Sequence, residues 1–188
     1  MRPGYSVIEA TNWYSYVSNN PVKHVDPTGE EIVLSEDATE EQKKAYNEAI
    51  EYLQSSETAE SLIGGLEKTE EVITIEFIDN HEDSYNFATN TVEWDPSSGL
   101  EVGRKGKIQT PASGLAHEFG HAEQDLDGRF EGIDLRNISE RLKIEAENLI
   151  NTENPIARQL GEPRRGHYLD HQGAVRTRGP TSNERFFR

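Results

Sequence analysis

Helical periodicity marks the first half of the chain. Between Thr39 and Leu53, apolar residues recur every three to four positions, and Thr39 followed by Gln42 is typical of a capping box at a helix start. A shorter helical segment follows and ends near Gly64 and Gly65. The pattern predicts two helices, of which the first is amphipathic and has a structural role.

Two short segments that follow have the composition of strands. Residues 72–78 (VITIEFI) are rich in β-branched side chains, and residues 91–95 (TVEWD) alternate between apolar and polar positions before Pro96. We therefore expect two strands separated by a polar loop. The second strand is predicted to present an edge that pairs with an extended substrate backbone.

A third helix is predicted to begin at Thr110 and to end near Gly128. Threonine suits the N-cap, Pro111 suits the first helical position, and the Asp-Gly pair suits the end. Its apolar residues fall on one side of the axis, at about 100° per residue. They are Ala112, Leu115, Ala116, Phe119 and Ala122.

The other side of this helix carries the motif HEFGH. His117 and His121 are one turn apart, with Cβ atoms about 5 to 6 Å from each other, so both imidazoles can reach one Zn²⁺. Glu118 flanks them, which suits a general base acting on a metal-bound water. Gly120 costs about 1 kcal/mol relative to alanine in mid-helix, a cost that close approach of another backbone would explain. The motif predicts a zinc site.

Composition limits the chemistry that the chain can carry. The 188 residues include 35 acidic and 19 basic side chains, with a net charge of −16, and no cysteine. This acidity argues against nucleic-acid binding, and the lack of cysteine leaves histidine and carboxylate as metal ligands. No apolar run approaches the roughly 20 residues of a membrane span, and we expect no N-terminal signal peptide. The length suits one domain with a short appendage.

The third zinc ligand is expected from a later helix over residues 138–150. A catalytic zinc site takes three protein ligands and keeps one position open. Glu145, Glu147 and Glu153 all compete for this role, and their phases around the helix axis leave the choice open. Pro155 adds to the ambiguity because proline cannot donate a backbone hydrogen bond, which can change the phase of the helix around it.

The N-terminal segment resembles the end of an Rhs-repeat core. The resemblance rests on NWYSYVSNNPVKHVDPTG, whose Asn-Asn-Pro and Asp-Pro-Thr-Gly stretches are turn signals. It implies that residues 1–29 are the C-terminal remnant of the shell of a polymorphic toxin, and that residues 30–188 are its toxic domain. The parent Rhs shell and an immunity protein are then expected partners.

The toxic domain resembles the effector zinc metallopeptidases. The shared motifs are SGLAHEFGHAEQ and ENLINTENPIARQLGEPRRGHY, which match HExxH, Glu-Asn and Arg-x-x-Tyr patterns. The resemblance implies an α+β, zincin-like fold with a small sheet and an HExxH active-site helix. It also implies zinc bound by the two histidines, with Glu118 as the general base.

The same resemblance assigns the downstream residues. It favours Glu147 as the third zinc ligand. Glu153 and Arg158 are expected to support the ligand side chains without binding zinc themselves. Arg165 and Tyr168 match a pair that faces the scissile carbonyl. The interval between Glu-Asn and arginine is one residue longer than in the family pattern, which bears on the choice between Glu147 and Glu153.

The predicted function is zinc-dependent endoproteolysis. We expect a secreted effector, delivered into a target cell, that hydrolyses a peptide bond in a protein there. The alternatives are a binding or assembly module with a structural zinc, and another metal-dependent hydrolase such as an amidase or a nuclease.

Overall fold

The computed structural model describes residues 32–103 and 106–187. In chain order the elements are β1 (Ile32–Leu34), α1 (Glu40–Leu53), α2 (Glu57–Leu66), β2 (Ile73–Phe77), β3 (Ser84–Asn86), β4 (Thr91–Trp94), β5 (Ser98–Val102), β6 (Lys107–Gln109), α3 (Pro111–Leu126), α4 (Ile138–Asn148), a π-helical turn (Leu149–Glu153), α5 (Asn154–Gln159) and β7 (His171–Arg176). The predicted Rhs remnant, residues 1–29, lies outside the described residues.

The strands form two small sheets. The first has the order β1-β2-β4-β3, in which β1, β2 and β4 run parallel and β3 runs antiparallel to β4. The second has the order β6-β5-β7 and is antiparallel throughout. Separate helices and small, mostly antiparallel or mixed sheets make this an α+β fold, as the sequence predicted.

The hydrophobic core lies where α1, α2 and α3 pack against the first sheet. Its largest fully buried side chains include Leu53, Ile75, Trp94, Leu115 and Phe119. Full burial of side chains of this size stabilises the fold by about 1.5 to 3 kcal/mol each. Helix α3 thus has one side fixed in the core, which leaves its other side for the site.

Several local predictions are confirmed. Thr39 and Gln42 form the predicted capping box, and the strands over residues 72–78 and 91–95 appear as β2 and β4. The expectation that the TVEWD strand is an edge is wrong, because β4 pairs with β2 on one side and β3 on the other. Among the described strands, β3 and β1 form the edges of this sheet. In the part of the chain that the structure describes, no helix has both the length and the apolar character needed to cross a membrane.

Helix α4 buries a different face from the one that its isoleucines suggest. Ile138 and Ile150 are 64% and 66% exposed, whereas Ile144, Asn148 and Leu149 are buried. Packing against α3 decides the orientation, because the buried amide of Asn148 bonds to that helix.

Candidate metal centre

The N-terminus of α3 is held firmly, and this positions the motif. Thr110 caps the helix by accepting the Ser113 N–H, with Pro111 in the first turn, as predicted. The Trp94 indole N–H donates to the Pro111 carbonyl at 2.9 Å. Buried Glu162 accepts the Thr110 N–H and the hydroxyls of Thr110 and Ser113 at 2.8 to 2.9 Å. A carboxylate is stabilised at a helix N-terminus, so these contacts fix the helix at its start.

Three side chains bring one atom each to a common point. The Nε2 atoms of His117 and His121 are 3.2 Å apart, and Glu145 Oε2 lies 3.4 Å from the first and 3.3 Å from the second. In a tetrahedral zinc site with bonds of about 2.0 Å, neighbouring ligand atoms are about 3.3 Å apart. Two imidazoles and one carboxylate also form a common donor set of catalytic zinc sites. The triangle therefore fits zinc and would supply three protein ligands.

Glu145 occupies the place that the family resemblance assigned to Glu147. The Glu147 carboxylate points to Arg129, 3.3 Å from its guanidinium. By helix phase Glu145 lies about 60° from Asn148, whose side chain contacts α3, whereas Glu147 lies about 100° from Asn148 in the opposite direction. The structure thus brings Glu145, and not Glu147, to the histidines.

Glu153 reaches the back of the site through the π-helical turn. In a regular helix Glu153 would lie about 80° from Glu145, but the extra residue in a π turn shifts the phase by about 100° and nearly aligns them. The Glu153 carboxylate then lies 2.9 Å from His117 Nδ1. A carboxylate on the far ring nitrogen holds the proton there and leaves Nε2 free for a metal.

His121 is oriented in the same way by an amide. Its Nδ1 lies 2.9 Å from Gln124 Oε1, while the Gln124 amide N–H donates to the Ile144 carbonyl at 3.1 Å. Because the amide oxygen can only accept, Nδ1 carries the proton. Both histidines therefore turn Nε2 towards Glu145 when these bonds are kept.

Charge in the site favours a cation at this point. Burial lowers the pKa of His117, but its hydrogen bonds to Glu145 and Glu153 outweigh burial and raise that pKa to about 10. Burial raises the carboxyl pKa of Glu145 and Glu153, yet hydrogen bonds bring each pKa to about 2. Glu145 bonds to both imidazoles, and Glu153 bonds to His117 and Arg165. Both carboxylates are thus ionised at neutral pH and draw positive charge between them.

Gly120 is explained by the side chain of Asn148, where the sequence suggested a neighbouring backbone. The Asn148 amide N–H donates to the His117 carbonyl at 2.8 Å, and the side chain crosses α3 at Gly120. A Cβ at Gly120 would overlap Asn148 Oδ1 and lie 2.9 Å from its Cγ and 3.0 Å from Thr152 Cγ2. The glycine therefore lets α4 and the π turn approach the metal ligands.

Arg165 and Tyr168 also enter the site, but the arginine is already engaged. Its guanidinium pairs with both oxygens of buried Glu153 and donates to the Tyr168 carbonyl at 2.8 Å. The Tyr168 ring stacks on His117 with centroids 6.2 Å apart. Arg165 thus holds the carboxylate that orients His117, and any contact of this pair with a substrate carbonyl stays a prediction.

A cleft of about 190 Å³ opens over the site. It is lined on one side by α3 with Glu118 and His117, and on others by residues 81–83, β5, Tyr168 and β7. Burial raises the pKa of Glu118, and a raised pKa makes a carboxylate a stronger base. Arg158 is exposed on α5 and does not line the cleft, so the structure gives no support to its predicted role in supporting the ligand side chains.

Sequence reasoning missed several residues that support the site. Gln124 orients His121, Asn148 ties α4 to α3, and Glu162 caps α3. Gln124 could have been found from its place three residues after His121, one helical turn away. Asn148 and Glu162 depend on long-range packing and leave no local signal.

These features define an α+β protein with a histidine and carboxylate centre on a capped helix beside a cleft. A model of the Peptidase M91 family, described as an effector protein, matches residues 26–148. The match covers more than half of the chain, so the chain belongs to this family of peptidase effectors, and the predicted resemblance to effector metallopeptidases is confirmed. Neither the curated proteins nor the solved structures give a match.

Proposed function

We propose that the chain is a zinc-dependent endopeptidase with a zincin-like active site. The observation that carries the proposal is the triangle of His117, His121 and Glu145, whose sides of 3.2 to 3.4 Å match the edges of a zinc tetrahedron. Three protein ligands leave a fourth position for water or substrate, which favours a catalytic metal over a structural one. Zinc would supply a Lewis acid that polarises a peptide carbonyl and acidifies water.

Glu118 is the general base in this proposal. It follows His117 on α3, lines the cleft, and is not part of the triangle. Its raised pKa suits a carboxylate that takes a proton from water and passes it to the leaving amine. Arg165 keeps Glu153 on His117, which fixes the imidazole, and Tyr168 packs on the same ring.

The biological setting follows from family membership and from the N-terminal resemblance. We propose that residues 30–188 form the toxic domain and that residues 1–29 belong to the end of an Rhs shell. In this setting the domain is delivered into a target cell, cleaves a protein there, and is held in check in the producer by an immunity protein.

The function is tested by exposing cell lysate to the zinc-loaded protein and mapping new protein N-termini by mass spectrometry. Wild type should generate specific new termini. Glu118→Gln keeps the shape of the side chain but cannot accept the proton, so it should generate none, and neither should wild type treated with EDTA. New termini of equal abundance with Glu118→Gln would overturn the mechanism.

A further inference from the structure

A second pair of histidine and carboxylate lies in the cleft, apart from the metal ligands. His81 Nδ1 is 2.9 Å from Asp95 Oδ2. The Asp95 side chain is 2% exposed, whereas His81 is 33% exposed and lines the cleft together with Glu118. The two residues follow the ends of the neighbouring parallel strands β2 and β4, which brings them to the same edge of the sheet.

Both members of the pair are held in place. Asp95 Oδ1 accepts the N–H and the hydroxyl of Ser97 at 2.9 and 2.7 Å, which leaves Oδ2 for the imidazole. His81 has φ of 64°, a left-handed conformation that costs a residue with a side chain about 1 kcal/mol or more. Strained residues of this kind cluster at functional sites, and the loop fixes the position of this imidazole.

The loop that carries His81 lies on the Glu118 side of α3. Asp83 Oδ1 accepts the Asp95 N–H at 2.8 Å, and its Oδ2 sits where a Cβ on Gly114 would be only 2.7 Å away. Gly114 precedes Glu118 by four residues and therefore shares its face of the helix. Residues 81–83 thus form the wall of the cleft beside the general base.

The cleft needs a hydrogen-bond donor for the oxygen on which negative charge develops during peptide hydrolysis. The guanidinium of Arg165 is bonded to Glu153 and to the Tyr168 carbonyl. Asp95 contacts only the Nδ1 atom of His81, so the Nε2 atom of that ring remains for a contact in the cleft. Resting on the proposed peptidase function, we infer that His81 is a further catalytic residue. In the protonated imidazole, Nδ1–H faces Asp95 and Nε2–H donates a hydrogen bond to the carbonyl oxygen of the scissile peptide, and Asp95 is the positioning residue that orients the ring.

The test uses rates of cleavage in lysate at equal concentrations of zinc-loaded enzyme. At low substrate, the first-order rate of appearance of one new N-terminus reports relative kcat/KM. His81→Gly removes the donor and lies outside the zinc ligands, so zinc content should hold while the rate falls about 100-fold, as when one oxyanion donor is lost. Asn90→Gly is the matched control, because Asn90 also has positive φ (50°) but does not line the cleft, and its rate should stay within about twofold.

A double-mutant cycle separates positioning from a merely structural role of Asp95. Asp95→Asn should slow cleavage about tenfold in wild type and have no further effect in His81→Gly, because it acts through the imidazole. Equal effects in both backgrounds would overturn the positioning role. An unchanged rate in His81→Gly, or a loss of its zinc, would overturn the catalytic role of His81 while wild-type cleavage still supports the peptidase. Absence of cleavage by wild type would overturn the proposed function itself.

Discussion

Replacing Gly120 with alanine should destabilise the protein, although alanine is the better helix former. The substitution gains about 1 kcal/mol of helix propensity. The new Cβ overlaps the Asn148 amide, which is 1% exposed and bonded to the His117 carbonyl. Losing that buried hydrogen bond costs about 1 to 3 kcal/mol, and overpacking costs about 1 to 3 kcal/mol more. The expected net loss is therefore about 1 to 5 kcal/mol.

The assay is urea denaturation of the zinc-free protein, so that metal binding does not contribute to the free energy of unfolding. Gly65→Ala on α2 is the matched control, because a Cβ there meets no atom within 4 Å, and this variant should be about 0.5 to 1 kcal/mol more stable than wild type. Gly120→Ala should also bind zinc more weakly in competition with a chromophoric chelator, since Asn148, which bonds to the His117 carbonyl, has to move. If Gly120→Ala is as stable as Gly65→Ala, the close approach of α4 to α3 is wrong.

Three further predictions address the ligands, the buried ion pair and a buried carboxyl group. Glu145→Gln should weaken zinc binding by about 100-fold or more, whereas Glu147→Gln should change it by less than about threefold; equal effects in chelator competition would contradict the ligand assignment. Arg165→Met strands a buried carboxylate and should lower the free energy of unfolding by about 3 to 5 kcal/mol, against less than about 0.5 kcal/mol for exposed Arg158→Met, both measured by urea denaturation. Burial raises the pKa of Asp83 to about 8, so the folded state holds a proton that the unfolded chain releases near its ordinary pKa of 3.8. Wild type should therefore lose stability between pH 6 and pH 8, and Asp83→Asn should remove about 1 to 2 kcal/mol of that loss; identical pH profiles for the two proteins would refute it.

Local signals were sufficient for much of the fold. The capping box at Thr39, the N-cap at Thr110 and the β-branched run over residues 72–78 each depend on neighbours within a few positions, and the structure contains all three elements. The spacing of His117 and His121 likewise needs only the geometry of one helix.

The positions of Glu145 and Glu153 could not be predicted from helical phase alone. The inward face of α4 is set by Ile144 and Asn148 against α3, and this places Glu145, not Glu147, beside the histidines. The π turn then rotates Glu153 by about 100° relative to a regular helix. Neither effect can be read from the periodicity of residues 138–150, because both are decided by tertiary packing.

The position of β4 shows a similar limit. Alternation in TVEWD predicts a strand, but it does not say whether one or two neighbours pair with it. The short strand β3 supplies the second neighbour, and its three residues are too few to give a pattern of their own.

The metal centre is tested most directly by a calorimetric zinc titration of the EDTA-treated protein and of Glu118→Gln. Both should bind one zinc ion per chain with similar affinity, because His117, His121 and Glu145 supply the ligands and Glu118 stands outside them. Failure of the wild type to bind zinc would contradict the site. Loss of binding in Glu118→Gln alone would show that Glu118 is a ligand and therefore not the base.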